Sequence, residues 1–297
     1  MLQGKLKNGF FYLLKRIIMN KMLLCIAGLS LLTACGGSNT EKEDLHFYVA
    51  GHTCGGDKDS INGMYEPFVT YLEQHKKDTF DFAVLTGDIV HNGNSDDWNA
   101  VESVIKKQAY PFHLVPGYQE LQDSKEYRNR FGSGNKHFEK GNNLFVTWEV
   151  VENGWNITDE QLKEFQTLTA KKTYDNIFIF VPEVIWWHIE KTPQIVPNSI
   201  DGRNEVNDFY TKTLPILASR TTPVYLFSGD VGARAVGSEL TMHKYKNVHM
   251  IASGMGGGMW DNFISVSTKN GKAQLQVNYL NGRKSLKLHN GYVNVFP

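Results

Sequence analysis

Side chains that could bind a metal ion stand in three separated stretches of the sequence. His52 and Cys54 lie two residues apart after a first apolar run, and Asp88 and Asp230 each follow a later run. Imidazole, thiolate and carboxylate groups form a borderline-soft ligand set that would suit one zinc ion. A buried histidine can instead bond to the backbone, and a buried cysteine can act as a small apolar filler. The residue types therefore leave a metal site and plain structural roles open.

Asp88 has the most informative surroundings, because it comes after the apolar run 82–86 and sits in a loop flanked by glycines. Such a run predicts a central parallel strand. Residues 45–50 predict an earlier strand that ends just before His52, and helical spacing over 65–77 connects the two strands. Ligands of open α/β sheets bind at the carboxyl ends of strands, so His52 and Asp88 are expected near each other.

The remaining predicted elements alternate between strands and helices before a run of strands closes the chain. Ser95 and Thr158 are the expected N-caps of two of the helices. Strands are predicted at 112–115, 176–181, 224–228, 248–253, 262–267, 274–280 and 285–288, a hairpin within 137–151, and helices at 95–107, from Thr158 and from Arg203. This order predicts an α/β fold whose last strands are antiparallel.

The order and spacing of these strand-end motifs resemble those of the calcineurin-like metallophosphoesterases over residues 45–267. Gly-Asp-x-x-x-x-Gly at 87–93 resembles the second signature of that family, in which the aspartate, here Asp88, bridges two metal ions. The family's first strand ends in Asp-x-His, where this chain has His52 and Cys54. The resemblance implies a four-layer α-β-β-α sandwich with mixed sheets and, in typical members, metal-dependent hydrolysis of phosphoesters.

Other positions depart from what the family pattern implies. The pattern has a metal-binding Asn and a proton-donating His where this chain has Tyr118 and Gln119. It has a metal-binding His where this chain has Pro182, and proline carries no side-chain donor atom. Its Gly-His-x-His motif is replaced by Asp230 and Gly232, which retains one possible oxygen ligand and loses the other.

Three functions remain open on these residues. We predict the first, a non-catalytic protein without a cofactor that keeps the fold as a binding or assembly surface, because two metals need several charged ligands. The second is a rebuilt site for one divalent metal, zinc, formed by His52, Cys54, Asp88 and Asp230. The third is a working phosphoesterase with altered ligands. Residues near strand ends that could substitute are His91, His113, His188 and Glu183.

The N-terminal residues predict export and lipid attachment. Basic residues precede an apolar segment at 22–34, which is too short to span a bilayer, and Leu-Thr-Ala-Cys ends at Cys35. The motif resembles the bacterial lipobox, whose cysteine is acylated, although an ordinary signal peptide is the alternative. We predict an export signal at 1–35, a polar tether at 36–44 and a domain at 45–297, held outside the cytoplasm at the outer membrane of a Gram-negative bacterium.

Composition limits the expected partners. Lys and Arg number 31, as do Asp and Glu, and no basic stripe occurs, so no nucleic-acid partner is predicted. Cys25 would leave with the signal and Cys35 would carry lipid, so Cys54 is the only thiol expected in the mature domain. Translation from Met19 would give a more typical signal, which leaves residues 1–18 open as an over-extended start. The one partner predicted from the sequence is the membrane, to which the lipid would attach the protein.

Overall fold

The computed structural model describes residues 43–56, 63–234, 239–288 and 293–294. The predicted export signal, the lipobox Cys35 and most of the tether lie outside these described residues. All described residues belong to one compact unit, Lys42–Pro297. No helix among them combines the length and the apolar character needed to cross a membrane.

Thirteen strands form among the described residues, most of them where apolar runs predict them. They are β1 (His46–Gly51), β2 (Phe82–Thr86), β3 (Phe112–Val115), β4 (Lys136–Lys140), β5 (Asn143–Thr147), β6 (Asn176–Phe180), β7 (Val224–Ser228), β8 (Leu240–Tyr245), β9 (Val248–Ser253), β10 (Asn262–Lys269), β11 (Lys272–Tyr279), β12 (Leu286–Lys287) and β13 (Val293–Asn294). The predicted hairpin is confirmed, since β4 pairs antiparallel with β5.

Helices connect the strands and cover the sheets. They are α1 (Glu66–Gln74), α2 (Ser95–Ile105), α3 (Tyr118–Leu121), α4 (Ser124–Phe131), α5 (Asp159–Lys171) and α6 (Leu214–Ala218), with a short 3₁₀ helix at Val151–Asn153 and a π-helix at Phe209–Thr213 that runs into α6. The capping box predicted for α5 is confirmed, because Thr158 and Gln161 each accept a backbone N–H bond from the other.

The strands form two mixed sheets. The first has the order β12-β11-β10-β1-β2-β3, and the second has the order β13-β8-β9-β7-β6-β5-β4. Within the first sheet β1, β2 and β3 are parallel, and within the second β5, β6, β7 and β9 are parallel. The loops that follow these strands therefore leave from one edge of each sheet.

Three apolar cores hold the layers together. Between the sheets, aromatic rings pack edge to face, as Phe47 and Phe145 do with their centroids 5.5 Å apart. Helices α1 and α2 cover the outer face of the first sheet through buried side chains such as Phe68 and Trp98. Helix α5 covers the second sheet through Phe165. Each such side chain contributes about 1.5 to 3 kcal/mol by burial. The result is the α-β-β-α sandwich with mixed sheets that the resemblance implied.

The predicted cap of α2 is wrong by one residue. Asn94, not Ser95, is the N-cap: its side-chain oxygen accepts the Asp97 backbone N–H at 3.0 Å, and Ser95 is the first helical residue. Asparagine and serine are about equally good caps, so the sequence pattern could not separate adjacent candidates. The cap fixes how the chain leaves the loop that carries Asp88.

The helix predicted from Arg203 is also wrong at its start, because regular helix begins only at Phe209. The Arg203 guanidinium stacks 4.8 Å from the centroid of the Trp187 ring and donates to the Trp187 carbonyl oxygen at 3.0 Å. The segment from Arg203 to the π-helix is irregular, and these contacts fix its first residue against Trp187. Helices α3 and α4 and strand β8 were not predicted at all.

Candidate functional site

The loops after β1 and β7 meet where the backbones of the two sheets are in contact. A Cβ atom added at Gly51 would lie 2.1 Å from the Cα of Gly229 and 2.5 Å from the carbonyl oxygen of Ser253, so backbone meets backbone here. The chain turns sharply just beyond, since His52 and Asp88 have φ angles of +50° and +46°. Left-handed conformations cost non-glycine residues on the order of 1 kcal/mol, so the surrounding fold holds both side chains in place.

His52 is oriented by the backbone toward Asp88. Its Nδ1 lies 2.7 Å from the carbonyl oxygen of Met255, which can only accept, so Nδ1 carries a proton. Its other nitrogen, Nε2, lies 3.6 Å from Oδ2 of Asp88. The backbone N–H of Cys54 donates to the Asp88 carbonyl oxygen at 3.0 Å, which ties the two loops together. The predicted proximity of His52 and Asp88 is therefore confirmed.

Glu120, which no sequence argument singled out, organises the Asp88 loop from inside. Its buried carboxylate accepts four backbone N–H bonds of 2.7 to 3.0 Å, from Asp88, Ile89, Val90 and Gly117. Burial, followed by the charge of Asp88, raises the pKa of Glu120 to about 8, although the N–H donors act in the opposite direction. Both oxygens are thus engaged by the protein's own backbone.

Two more carboxyl groups, Glu183 and Asp230, lie buried at the same edge, each only 5% exposed. Burial and then the charge of Asp230 raise the pKa of Glu183, while burial and then the charge of Asp88 raise the pKa of Asp230. Glu183 accepts the Tyr118 backbone N–H at 3.2 Å. Its second oxygen, and Oδ2 of Asp230, have no hydrogen-bond partner within the described part of the chain. The raised pKa values favour the protonated, neutral forms of Glu120, Glu183 and Asp230.

A cavity of about 220 Å³ opens at this edge, and Asp88 forms part of its lining. His52 and Cys54 line it from the loop after β1, while Asn198 and Arg234 line it from the other side. The thiol of Cys54 is 2% exposed and contacts the carbonyl oxygen of its neighbour in sequence at 3.5 Å. Three of the four predicted metal ligands thus share one cavity, whereas the fourth, Asp230, is buried and does not line it.

The positions that depart from the family pattern offer no ligands in their place. The Tyr118 side chain is 41% exposed, and Gln119 uses its side-chain oxygen to accept from another side-chain amide at 2.8 Å. Pro182 is buried, and its carbonyl oxygen accepts the Gly229 backbone N–H at 3.2 Å. Gly232 has a φ angle of +101°, which favours glycine over any residue with a metal-binding side chain.

The histidines proposed as substitutes divide by location. His91 lines the cavity. His113 stacks on Phe138 at a centroid distance of 4.4 Å, and burial, followed by the charge of Lys136, lowers its pKa to about 4. The His188 Nδ1 accepts a backbone N–H two residues away at 3.1 Å. His113 and His188 therefore have structural roles, and His91 is the one of the three placed to meet a ligand.

The donor set does not fit a two-metal centre. Within the described ranges, no group of three or more His, Cys, Asp and Glu side chains is arranged to hold a metal ion. The chemistry of the residues explains this, because the oxygens of Glu120 are occupied by backbone donors and Pro182 and Gly232 contribute no side-chain atom. Two close cations need several free anionic or imidazole ligands, which these residues do not provide.

Comparison with known proteins gives one family match. The sequence profile of the calcineurin-like phosphoesterases matches residues 44–254. No curated protein matches the chain at a significant level.

Solved structures of phosphatases share the fold. A purple acid phosphatase isolated from yellow lupin (Lupinus luteus) seeds is 11% identical with a TM-score of 0.60 over 83% of this chain, which spans only 53% of that protein. A dimetal phosphatase from Danio rerio is 14% identical with a TM-score of 0.58, over 82% of this chain and 98% of that one. Identities this low establish shared architecture only.

Proposed function

The chain belongs to the calcineurin-like phosphoesterase family, and from this premise we propose that it is a non-catalytic member that has lost the dimetal centre. In this proposal the protein lies in the cell envelope, and its fold serves as a surface for binding or assembly. Family members usually depend on two metals. The question for this chain is therefore whether the residues at the ends of its parallel strands could bind them. A fold can persist while its chemistry is replaced, since function resides in the site.

The observation that carries the proposal is the lack, among the residues that the structure describes, of side-chain donors for two metals at this edge of the sheets. The two oxygens of Glu120 accept four backbone N–H bonds, so the carboxylate stabilises the loop after β2 and is not free to bind a cation. Pro182 and Gly232, where the family has metal-binding histidines, add no donor. The loop after β2 is held by a side chain of the protein itself.

A second candidate is a phosphoesterase with a rebuilt site around Asp88, using one divalent metal such as zinc. The observation in its favour is that Nε2 of His52 lies 3.6 Å from Oδ2 of Asp88, a separation that two ligands of one ion can have. Asp230 and Cys54 would have to complete the set. Such a site would still lack the general acid expected at Gln119, because an amide cannot release a proton at neutral pH.

We expect the purified protein not to hydrolyse phosphomonoesters or phosphodiesters when Mn²⁺, Zn²⁺, Mg²⁺ or Fe²⁺ is added. A missing general acid alone typically costs about 10² to 10⁴ in rate, and loss of a metal-activated hydroxide costs more. The double variant Tyr118→Asn, Gln119→His should remain inactive while Pro182 is present. Release of product is the measurement, with Asp88→Ala as the control. Metal-dependent turnover that disappears in Asp88→Ala would establish the second candidate instead.

We also propose that the protein is a lipoprotein anchored through Cys35 outside the cytoplasm, with the domain carried on the tether 36–44. Several acyl methylenes, each worth about 0.8 kcal/mol, would hold it at the membrane. Labelled palmitate should enter the wild-type protein and not Cys35→Ser. Equal labelling of both proteins, or labelling of neither, would rule out the anchor.

A further inference from the structure

We propose that a lysine-rich edge of the domain lies against a bilayer surface that bears anionic headgroups. This edge, called the starting edge below, is the one at which the parallel strands of both sheets begin. The inference rests on the proposed lipid anchor at Cys35, and it adds which face of the domain meets the membrane and what chemistry attracts that face. The cavity that Asp88 lines is at the opposite edge and has no part in it.

The two sheets begin side by side. Strands β1, β2 and β3 are parallel in the first sheet, as are β5, β6, β7 and β9 in the second, so each set starts at one edge. At the start of β6, the Asn176 side-chain amide donates to the Gly271 carbonyl oxygen in the β10–β11 turn at 3.0 Å. At the end of β4, Lys140 pairs with Asp81, the residue before β2, at 2.7 Å. These contacts between the sheets place all the strand starts on one edge of the domain.

Basic residues dominate the connections at the starting edge. Eleven Lys and Arg and five Asp and Glu occur in these connections, which are 43–45, 75–81, 106–111, 140–142, 171–175, 219–223, 246–247 and 269–272. Five exposed lysines among them form no ion pair within the described part of the chain: Lys76, Lys77, Lys171, Lys269 and Lys272. The surface is not visible as a basic run in the sequence, because no connection supplies more than two of its charges.

The basic excess stands out against the charge of the remaining chain. Five Lys and Arg and no Asp or Glu lie in the predicted export signal, so the mature chain would carry a formal net charge of −5. The lysine pairs 76–77, 106–107 and 171–172 lie at or just after helix ends, where the helix dipole favours cations. Lys246, Lys269 and Lys272 lie at hairpin turns, so helix dipoles alone do not account for the excess.

This separation of charge selects an anionic surface as the partner. A bilayer with anionic headgroups attracts lysines that come within a Debye length of it, which is about 10 Å at ordinary salt. A protein of net negative charge would be repelled in most orientations and attracted in the one that presents its lysines. Charge complementarity therefore favours contact through the starting edge.

The chain also enters the domain at this edge. Leu45 directly precedes β1, and a Cβ atom at Gly141, in the β4–β5 turn, would lie 3.2 Å from the Cβ of Glu43. The nine residues 36–44 span at most about 30 Å when fully extended. Because the six residues of β1 alone extend over about 20 Å, the tether would have to follow the whole domain before the opposite edge met the bilayer. The length and entry point of the tether therefore favour the starting edge.

Fluorescence quenching of the acylated protein in vesicles tests the proposal. The fluorophore is attached at Ala109→Cys, exposed on the starting edge, or at Val206→Cys, 80% exposed after β6 at the opposite edge. Cys35 would carry lipid and Cys54 is buried, so the introduced thiol is the reactive one. The vesicles contain phosphatidylcholine alone, or equal parts of phosphatidylcholine and phosphatidylglycerol, each with a nitroxide-labelled lipid as quencher.

We expect phosphatidylglycerol to raise quenching at position 109 about twofold or more and not to raise it at position 206. The rise should disappear at about 1 M salt, where the Debye length is about 3 Å. No rise at position 109, an equal rise at position 206, or a rise that persists in high salt overturns the proposal.

Two triple variants that remove the same charge provide the matched comparison. One changes the starting edge: Lys76→Gln, Lys77→Gln and Lys269→Gln. The other changes exposed lysines elsewhere: Lys125→Gln, Lys163→Gln and Lys284→Gln. We expect the first variant to lose about half or more of the rise at position 109 and the second to keep it. Equal effects of the two variants would contradict the proposal.

Palmitate labelling separates failure of this inference from failure of the proposed anchor. If Cys35 takes up no palmitate, the anchor and this inference both fail. If Cys35 is acylated and the rise in quenching is absent, only this inference fails and the anchor stands.

Discussion

Replacement of Glu120 by alanine is expected to lower the free energy of unfolding by about 3 to 5 kcal/mol. The carboxylate accepts four backbone N–H bonds, three of them from the consecutive residues 88–90. Alanine would leave these donors in a buried space without an acceptor, and each unsatisfied buried donor costs about 1 to 3 kcal/mol unless water enters. The fold of the Asp88 loop depends on this one side chain. Urea denaturation of the purified variant measures the loss.

Gln119→Ala is the matched control for this variant, because Gln119 is the adjacent residue and its half-buried side chain accepts a hydrogen bond from an exposed neighbouring amide. We expect its unfolding free energy to stay within about 0.5 kcal/mol of wild type. Glu120→Gln should fall between the two, since the amide keeps one acceptor oxygen but turns a donor toward the N–H groups. Similar losses for Glu120→Ala and Gln119→Ala would contradict the role assigned to Glu120.

Gly229→Ala should prevent stable folding or cost about 3 kcal/mol or more, because it inserts an atom where the two sheets touch. The new Cβ would lie 2.0 Å from the carbonyl oxygen of Thr86 and 2.5 Å from the Cα of Gly51. Both are backbone atoms of the opposite sheet, so no side-chain rotation can relieve the overlap. The yield of soluble protein and its thermal unfolding midpoint are the measurements.

Gly202→Ala separates this contact from the ordinary cost of removing a glycine. Gly202 has a φ angle of +75°, but a Cβ there would meet nothing within 4 Å. The expected loss is therefore only the strain of a left-handed alanine, about 1 kcal/mol. Gly229→Ala with no larger effect than Gly202→Ala would show that the sheets do not approach as closely as described.

Much of the fold was predictable because its strands are short apolar runs with local signals at each end. The run 82–86 and the strand before His52 were both placed correctly, as was the hairpin of β4 and β5. The neighbours of each strand were not predictable, since the pairing of β1 with β10 joins residues more than 200 positions apart. No local pattern encodes that contact, which tertiary packing selects.

The site was predictable to the extent that it follows from strand ends. His52, Cys54 and Asp88 could be grouped because parallel strands end at one edge. Glu120 was missed as a stabilising residue because its role depends on the direction in which a four-residue helix turns its side chain. Asp230 was selected by spacing, but spacing does not reveal that its side chain is buried away from the cavity lining.

The metal content of the purified protein tests the central claim most directly. After exposure to Mn²⁺, Fe²⁺ and Zn²⁺ and removal of loosely bound ions, mass spectrometry should find far less than one ion per chain, with no difference between wild type and Asp88→Asn. Histidines that would coordinate the ions in the family are replaced here, as Pro182 and Gly232 illustrate. One or two ions per chain in the wild type that disappear in Asp88→Asn would contradict the account.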